Sequence, residues 1–317
     1  MLLVSPLRPA AILSLVAPLY RLARDWPDGL LRWLIAQSDN PRRVDCKGAC
    51  DPLMLASDKG QERHVPIRIH GHGPARAIAI HGWFNDHQAF DGVLPGIDPE
   101  RFTIALPDLR GYGSQRGSGG PYDIATMAAD AIEAADALGW DSFSVIGHSM
   151  GGKAALRVAV EAPSRVERVL GITPVWAGPA PFDPPTLGFF RAAAGDVGTR
   201  QAILDITTGE RLPLAWLKAS AERSVAISDR DAFAAYLESW AGDDFGPQAA
   251  AIACPVLVIA GAHDRGVPED VIRSTWLAAL QQARLVVLPE AGHYPMDECP
   301  LALAGQIIAF LDPTQSR

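Results

Sequence analysis

The chain has 317 residues, of which 48% are hydrophobic and 20% are charged, a composition typical of a globular protein. Its formal net charge is -8 and no basic run occurs, so the sequence predicts no nucleic-acid partner. The length is sufficient for one large α/β domain with an inserted subdomain.

The cysteines predict no metal site. Cys46 and Cys50 lie close together, whereas Cys254 and Cys299 provide no second pair with metal-ligand spacing. A Cys46–Cys50 disulfide is compatible with this spacing, but the pattern favours reduced thiols in a cytosolic protein. We therefore expect no metal and a cytoplasmic location, with a secretory or membrane-associated N-terminus as the alternative.

Residues 1–60 are predicted to form an N-terminal extension that either packs on the surface or is poorly ordered. Its apolar run Ala10–Tyr20 is interrupted by Pro18 and is too short to span a bilayer as a helix. No small-residue cleavage site follows this run, because Arg21 and Arg24 come next. A peripheral membrane contact through the extension is the alternative.

From residue 65 onward, short apolar runs alternate with helical patterns. The runs predict strands at Val65–His70, Ala77–Ile80, Phe102–Leu106, Phe143–Ile146, Val166–Ile172, Pro255–Ala260 and Arg284–Leu288. Helices are predicted at Ile124–Leu138, in the Ala-rich stretch Lys153–Val160 and at Leu301–Leu311. This alternation predicts an α/β fold whose mostly parallel sheet has helices on both faces, with the core in residues 61–173 and 249–317.

Residues 174–248 interrupt the alternation, and we expect a helical lid there. The interval begins with a cluster of Pro and Gly and contains no convincing core strand. Helical patterns occur at Leu187–Ala194, Thr199–Ile206, Leu214–Ile227 and Ala232–Trp240. The aromatic side chains of this interval either pack the lid against itself or line a pocket: Phe182, Phe189, Phe190, Trp216, Phe233, Tyr236 and Trp240.

The sequence Gly-His-Ser-Met-Gly at 147–151 predicts a nucleophilic serine, Ser149. The pentapeptide follows an apolar run and precedes the Ala-rich stretch, which is the strand–turn–helix context of a nucleophile elbow. Only small residues two positions before and after the serine leave room for so tight a turn, and Gly147 and Gly151 supply them. The alternative is an ordinary Gly-rich turn between a strand and a helix.

A serine hydroxyl needs a base, and His293 is the best candidate. It follows the predicted strand Arg284–Leu288, and open α/β sheets carry working residues on loops at the carboxyl ends of strands. His81 is the next candidate. His148 is adjacent to the serine in the chain, so we expect its side chain to point away from that of Ser149.

The base in turn needs an orienting carboxylate, and Asp264 fits. It follows the strand Pro255–Ala260 and lies between the serine and the histidine in chain order. The alternative role for Asp264 is to cap the turn that follows it. Rival carboxylates are Asp270, Asp297 and Glu290.

Two backbone N–H groups are candidate donors to an oxyanion. One belongs to Met150, the residue after the serine, and the other to Trp83, in the loop that follows Ala77–Ile80. Gly82 allows the turn that would direct the Trp83 N–H into the site. The alternative is a structural His-Gly turn at residues 81–82.

These motifs resemble those of the α/β-hydrolase superfamily, in its lidded serine-esterase branch. The resemblance covers Val65–Leu311 and lies in HGW at 81–83, DLRGYGSQ at 108–115, GHSMGG at 147–152, GAHD at 261–264 and GHYPMDECP at 292–300. It implies Ser149 as nucleophile, His293 as base, Asp264 as acid, and Trp83 and Met150 as oxyanion donors. Asp108 matches a family aspartate that is usually structural, and residues 1–60 match nothing in the family.

The expected function is hydrolysis of a small-molecule carboxylic ester or lactone through an acyl-enzyme, with no cofactor. A serine at the elbow argues against the epoxide-hydrolase branch, which resembles this fold but uses aspartate there. Carbon–carbon bond hydrolysis, amide hydrolysis and perhydrolysis on the same three residues are the alternatives. A non-catalytic small-molecule receptor on the same scaffold is a further alternative from another class, because fold alone does not fix function.

Overall fold

The computed structural model describes residues 67–312, and their centre is a seven-stranded sheet. In chain order the strands are β1 (Ile67–His70), β2 (Ala75–Ile80), β3 (Phe102–Pro107), β4 (Phe143–His148), β5 (Val166–Ile172), β6 (Val256–Gly261) and β7 (Ala283–Leu288). Their order across the sheet is β1-β3-β2-β4-β5-β6-β7. Only β1 runs antiparallel to its neighbour, so the predicted mostly parallel sheet is confirmed.

The observed strands extend beyond several of the predicted ones. β4 continues through Gly147 and His148, because these two residues still pair with Gly171 and Ile172 of β5. β2 begins two residues earlier than predicted, since Ala75 already pairs with Phe102. Every residue of β4 and β6 is buried, which explains why these strands are continuous apolar runs in the sequence.

The helices of the core lie against this sheet and bury its faces. They are α1 (Ile124–Ala137) and α2 (Met150–Glu161) in the first half of the core, and after β6 α8 (Glu269–Ile272), α9 (Pro295–Glu298) and α10 (Pro300–Leu311). The Asp123 carboxylate accepts a hydrogen bond from the Thr126 N–H at 2.7 Å and so caps the start of α1. Gly139, at a φ of 65°, follows the end of that helix, as the sequence predicts.

Between β5 and β6 the chain forms further helices instead of strands. They are α3 (Pro184–Ala192), α4 (Val197–Thr207), α5 (Leu214–Ile227), α6 (Arg230–Gly242) and the short α7 (Gly246–Ala249). We call residues 184–249 the inserted helices. Asp183 and Asp196 accept hydrogen bonds from the first-turn N–H groups of α3 and α4, which explains where these helices begin.

None of the described helices combines the length and apolar character that crossing a membrane requires. The predicted N-terminal extension, residues 1–60, lies outside the described residues, and so does the Cys46–Cys50 pair. Cys254 and Cys299 are free thiols.

Candidate active site

The predicted site residues lie on loops at one edge of the sheet. Trp83 follows β2, Ser149 follows β4, Asp264 follows β6 and His293 follows β7. Because β2, β4, β6 and β7 are parallel, their carboxyl ends meet at the same edge. Residues far apart in sequence are brought together there.

Ser149 occupies a strained turn between β4 and α2. Its backbone φ is 53°, which is unusual for a residue with a side chain. A Cβ atom at Gly147 would lie 2.1 Å from the Gly151 carbonyl oxygen, and one at Gly151 would lie 2.4 Å from the Ile80 carbonyl oxygen. Both positions therefore require glycine, and the turn has the geometry of a nucleophile elbow.

Ser149, His293 and Asp264 form a continuous chain of hydrogen bonds. The Ser149 Oγ lies 2.9 Å from His293 Nε2, and His293 Nδ1 lies 2.7 Å from Asp264 Oδ2. Since a carboxylate can only accept, Nδ1 carries the ring proton and Nε2 is left to accept from the serine hydroxyl. His293 and Asp264 are buried, whereas Ser149 is partly exposed.

Asp264 makes the contacts of both roles that the sequence left as alternatives. Its Oδ1 accepts from the N–H groups of Gly266 and Val267 at 2.7 and 3.0 Å and closes the following turn, while its Oδ2 binds His293. Both ring nitrogens of His293 are thereby engaged, by Asp264 and by Ser149. None of the rival carboxylates binds this ring.

The backbone of His293 is held by two side chains that the sequence analysis did not place in the site. The His293 carbonyl oxygen accepts from His148 Nε2 at 2.8 Å and from Thr173 Oγ1 at 2.9 Å. Burial lowers the pKa of His148 to about 3, so this imidazole is neutral and donates through Nε2. His148 thus supports the backbone of His293 and is not itself a candidate base.

Glu298 holds the same loop from its other side. Its carboxylate accepts from the Gly292 N–H at 2.8 Å and the Tyr294 N–H at 3.0 Å, the two amides that flank His293. Arg211, from the loop between α4 and α5, donates to this carboxylate at 3.1 Å. A side chain of the inserted segment therefore contacts the residue that fixes the histidine loop.

Trp83 and Met150 have backbone N–H groups suited to bind an oxyanion. Met150 is the first residue of α2, so its N–H has no acceptor within the helix. The Trp83 N–H has no acceptor among residues 67–312. A Cβ atom at Gly82 would lie 3.3 Å from the Cβ of Ser149, so the loop that carries Trp83 passes directly beside the serine.

The inserted helices contact this loop through Trp83. Its indole Nε1 donates to the Phe233 carbonyl oxygen on α6 at 2.8 Å, and its ring stacks on that of Phe233 with 4.1 Å between centroids. The rings of Phe190 and Trp240 lie at 6.1 and 5.7 Å. On the histidine side, Trp216 of α5 packs against Tyr294. The inserted helices therefore border the site on both sides.

His81, the other candidate base, has a structural position. Its Nδ1 donates to the Gly82 carbonyl oxygen at 2.9 Å, and its Nε2 accepts from the Leu109 N–H at 3.1 Å. Burial lowers its pKa, which keeps this imidazole neutral. His81 joins the loop after β2 to the loop after β3.

Asp86, His87 and Asp108 are the described residues whose ligand atoms lie close enough together to hold a metal ion. These atoms already bind protein groups. His87 Nδ1 lies 2.8 Å from Asp108 Oδ1, and the Ser114 hydroxyl donates to Asp108 Oδ2 at 2.7 Å. These bonds hold the pKa of Asp108 well below its usual value, and they fit the structural role that the resemblance implies.

Comparisons with known proteins identify the family of the chain. Residues 78–300 match the family described as alpha/beta hydrolase fold. The chain is 29% identical over 251 residues to the pimeloyl-[acyl-carrier protein] methyl ester esterase of Nitrosomonas europaea, which covers 74% of this chain and 95% of that protein. It is 26% identical over 268 residues to a 2-hydroxy-6-oxononadienedioate/2-hydroxy-6-oxononatrienedioate hydrolase of Paraburkholderia xenovorans, which covers 80% and 89%.

A solved structure is also similar to this chain. The crystal structure of a hydrolase from Pseudomonas aeruginosa is 28% identical, superposes with a TM-score of 0.66, and covers 78% of this chain and 93% of that one. The family match spans more than half of the chain and includes Trp83, Ser149, Asp264 and His293. The chain belongs to the alpha/beta hydrolase family, and its relatives support hydrolase activity.

Proposed function

We propose that the protein is a serine hydrolase that cleaves a carboxylic ester or lactone through an acyl-enzyme. The observation that carries this proposal is the pair of hydrogen bonds that join Ser149 to His293 at 2.9 Å and His293 to Asp264 at 2.7 Å. A serine activated by a neighbouring base, with the base oriented by a carboxylate, is the arrangement that acyl transfer requires.

The first half of the reaction forms the acyl-enzyme. As Ser149 Oγ attacks the ester carbonyl carbon, its proton passes to His293 Nε2, and Asp264 stabilises the resulting imidazolium. The N–H groups of Trp83 and Met150 bind the oxygen that becomes negative in the tetrahedral intermediate. His293 then donates its proton to the departing alcohol.

The second half releases the acid. The same His293 nitrogen accepts a proton from a water molecule, whose oxygen attacks the acyl carbon, and Ser149 leaves with the proton returned to its oxygen. The imidazole of His293 makes all the proton transfers, so these reaction steps need no cofactor.

The inserted helices act as a lid in this proposal. Trp83 stacks on Phe233 of α6, and Phe190 and Trp240 lie around it, so the wall next to the proposed oxyanion donors is aromatic. An aromatic wall favours an apolar acyl or alcohol group through burial of its surface. We therefore expect neutral, apolar esters to be better substrates than charged ones.

The test is release of p-nitrophenol from acetate, butyrate and octanoate esters by the unmodified protein and by Ser149→Ala. Removal of the nucleophile is expected to reduce kcat/KM by at least about 10³-fold. Ser274→Ala, at an exposed position outside the site, is the matched control and should retain full activity. Equal activity of Ser149→Ala and the unmodified protein would contradict the proposal.

A second candidate is hydrolysis of a carbon–carbon bond by the same residues. The supporting observation is the similarity over 268 residues to a hydrolase named for 2-hydroxy-6-oxo dienedioates. Such compounds contain a ketone and carboxylates but no ester, so the bond to be cleaved is between carbons. Turnover of an oxo dienoic acid with no turnover of any of the three esters would favour this candidate over the first.

A further inference from the structure

Lys153 is a fully buried cation one turn after Ser149 on α2. Its side chain is 0% exposed. The ammonium donates to the carbonyl oxygens of Gly178 at 3.0 Å, Trp240 at 2.9 Å and Asp243 at 2.6 Å. It has three donors and three acceptors, so its hydrogen-bonding capacity is filled entirely by backbone. Neither the proposed reaction nor the family match gives this lysine a role.

The three acceptors lie where the inserted helices join the core. Gly178 belongs to the segment between β5 and α3, and Trp240 and Asp243 lie at the carboxyl end of α6. Two backbone hydrogen bonds join these segments, from the Ala180 N–H to the Ala241 oxygen at 2.8 Å and from the Phe245 N–H to the Ala177 oxygen at 3.0 Å. We call residues 176–180 and 240–245 the neck. Lys153 thus contacts both halves of the neck at once.

The charge of Lys153 matches what the end of a helix needs. The last carbonyl groups of an α-helix accept no hydrogen bond from within the helix and carry partial negative charge. A cation at this end of a helix is therefore favourable. Burial lowers the pKa of Lys153 to about 8, and the nearby carboxylates of Asp243 and Asp244 oppose this shift. The ammonium therefore keeps its proton at neutral pH.

An apolar side chain of similar length would fill the same space without these bonds. Burying a lysine costs free energy unless every N–H finds an acceptor, so its presence here is explained by the bonds rather than by packing. Replacing the ammonium by a methyl group would leave three buried carbonyl oxygens without this donor. The two halves of the neck would keep their own backbone bonds but lose the donor that they share.

A short path leads from the neck to the site. Helix α6, whose carboxyl end Lys153 binds, also carries Phe233, whose carbonyl oxygen accepts from Trp83 Nε1. Trp240, one of the three acceptors, has its ring 5.7 Å from that of Trp83. A displacement of the end of α6 would therefore move the aromatic wall beside Ser149.

We propose that Lys153 is a positioning residue that ties the inserted helices to the nucleophile helix through both halves of the neck and so sets the shape of the acyl pocket. The part of this inference that concerns the pocket rests on the proposed function. The part that concerns the neck does not, because it can be measured without catalysis.

The first measurement is hydrogen exchange of neck peptides at pH 7 in proteins that carry Ser149→Ala, with and without Lys153→Met. We expect the amides of Ala180 and Phe245 to exchange at least about tenfold faster in the Lys153→Met protein, since local opening becomes easier. Lys153→Arg, which keeps the charge, should restore part of the protection. Lys218→Met, at an exposed lysine of α5, is the matched control and should leave the neck unchanged.

The second measurement is the ratio of kcat/KM for the octanoate ester to that for the acetate ester, with Ser149 intact. We expect Lys153→Met to change this ratio about tenfold, because the wall that contacts a long acyl chain moves while an acetyl group reaches little of it. The ratio is independent of the fraction of folded enzyme, so a merely structural loss would not alter it.

The two measurements separate the possible failures. If Lys153→Met leaves the exchange rates within twofold of those of the Ser149→Ala protein, and the ester ratio within twofold of that of the unmodified protein, the proposal is overturned. If no ester is cleaved but exchange at the neck accelerates, the neck assignment stands and the proposed function fails. If Lys153→Met does not fold, Lys153→Gln decides by the same readouts: accelerated exchange supports the proposal and unchanged exchange overturns it.

Discussion

The elbow and the inserted helices are held in place by different means. At the elbow, the Ser149 N–H binds the Ile172 oxygen at 3.0 Å, the Ser149 oxygen accepts from Val175 at 3.0 Å, and two glycines allow contact that no side chain would permit. Two attachments of the inserted helices to the core are instead made by single long side chains, in addition to the contacts of Trp83. Lys153 binds the neck, and Arg211 binds Glu298.

The elbow and the inserted helices should therefore respond differently to substitutions. Backbone hydrogen bonds and close glycine contacts hold Ser149 through many atoms. The geometry around the serine therefore tolerates little change, and an added atom there lowers the free energy of unfolding. An attachment through one side chain can be removed by one substitution while the fold persists. We therefore expect substitutions at the sheet edge to abolish activity or folding, and those at the attachments to change rates and specificity.

Asp264→Asn should have the largest effect on activity. The amide keeps the size of the carboxylate but does not stabilise the imidazolium, and it favours the wrong tautomer of His293, so we expect kcat to fall by about 10³- to 10⁴-fold. The measurement is steady-state kinetics on p-nitrophenyl butyrate. Asp270→Asn and Asp297→Asn are the controls, and a loss equally large in either would show that the orienting carboxylate has been misassigned.

Gly147→Ala should have the largest effect on stability. The added Cβ atom would lie 2.1 Å from the Gly151 oxygen, so the elbow must move, and we expect a loss of about 3 kcal/mol in the free energy of unfolding. The control is Gly305→Ala on α10, where the added atom meets nothing within 4 Å. Helix propensity predicts a gain of about 0.5–1 kcal/mol there. Urea denaturation measures both, and equal stabilities would contradict the account of the elbow.

Glu298→Gln should have an intermediate effect, confined to kcat. An amide oxygen can replace only part of the carboxylate that accepts from Gly292 and Tyr294, so the loop that carries His293 loosens. We expect kcat to fall about tenfold with KM changed less than twofold, because the loop positions the base and does not bind substrate. Glu290→Gln on the same loop should leave both constants unchanged. A change in KM alone would assign Glu298 to substrate binding instead.

The smallest expected effect concerns His87. Its hydrogen bond to Asp108 raises the pKa of His87, so the folded state binds the proton more tightly than the unfolded state does. The stabilisation is complete below the unfolded value of 6.5 and disappears as the pH rises through the raised folded value. We expect a decline of less than about 1 kcal/mol as the pH rises.

His87→Gln should remove this decline, as measured by urea denaturation at closely spaced pH values. His72→Gln, at an exposed histidine, is the control. A slope that survives in His87→Gln would assign the titration to another group.

The sheet and the residues at its edge could be predicted from the sequence because their signals are local. A buried parallel strand is a continuous apolar run, and each candidate residue follows such a run by a few positions. The fold was predicted correctly, and the structure brings Ser149, His293 and Asp264 into hydrogen-bond contact. The extents of the lid and the roles of these residues remain predictions.

The supporting residues could not be predicted, because their partners are distant in sequence. Glu298 and Arg211 are separated by 87 positions, and Lys153 binds carbonyl groups up to 90 positions away. Every residue has a backbone carbonyl group, so no sequence pattern predicts which carbonyl groups accept from Lys153. The sequence gives one indication of this role, which is the position of Lys153 among small and apolar residues of α2. Most residues of that helix are buried.

The most direct test of the central claim is to label the nucleophilic serine covalently. A fluorophosphonate that reacts with activated serines is added to the protein, and the modified peptide is located by mass spectrometry. The account predicts one adduct per chain, on Ser149, formed at a rate that falls at least about 10³-fold in His293→Ala. An adduct at another serine, or no adduct in a protein that still cleaves esters, would contradict it.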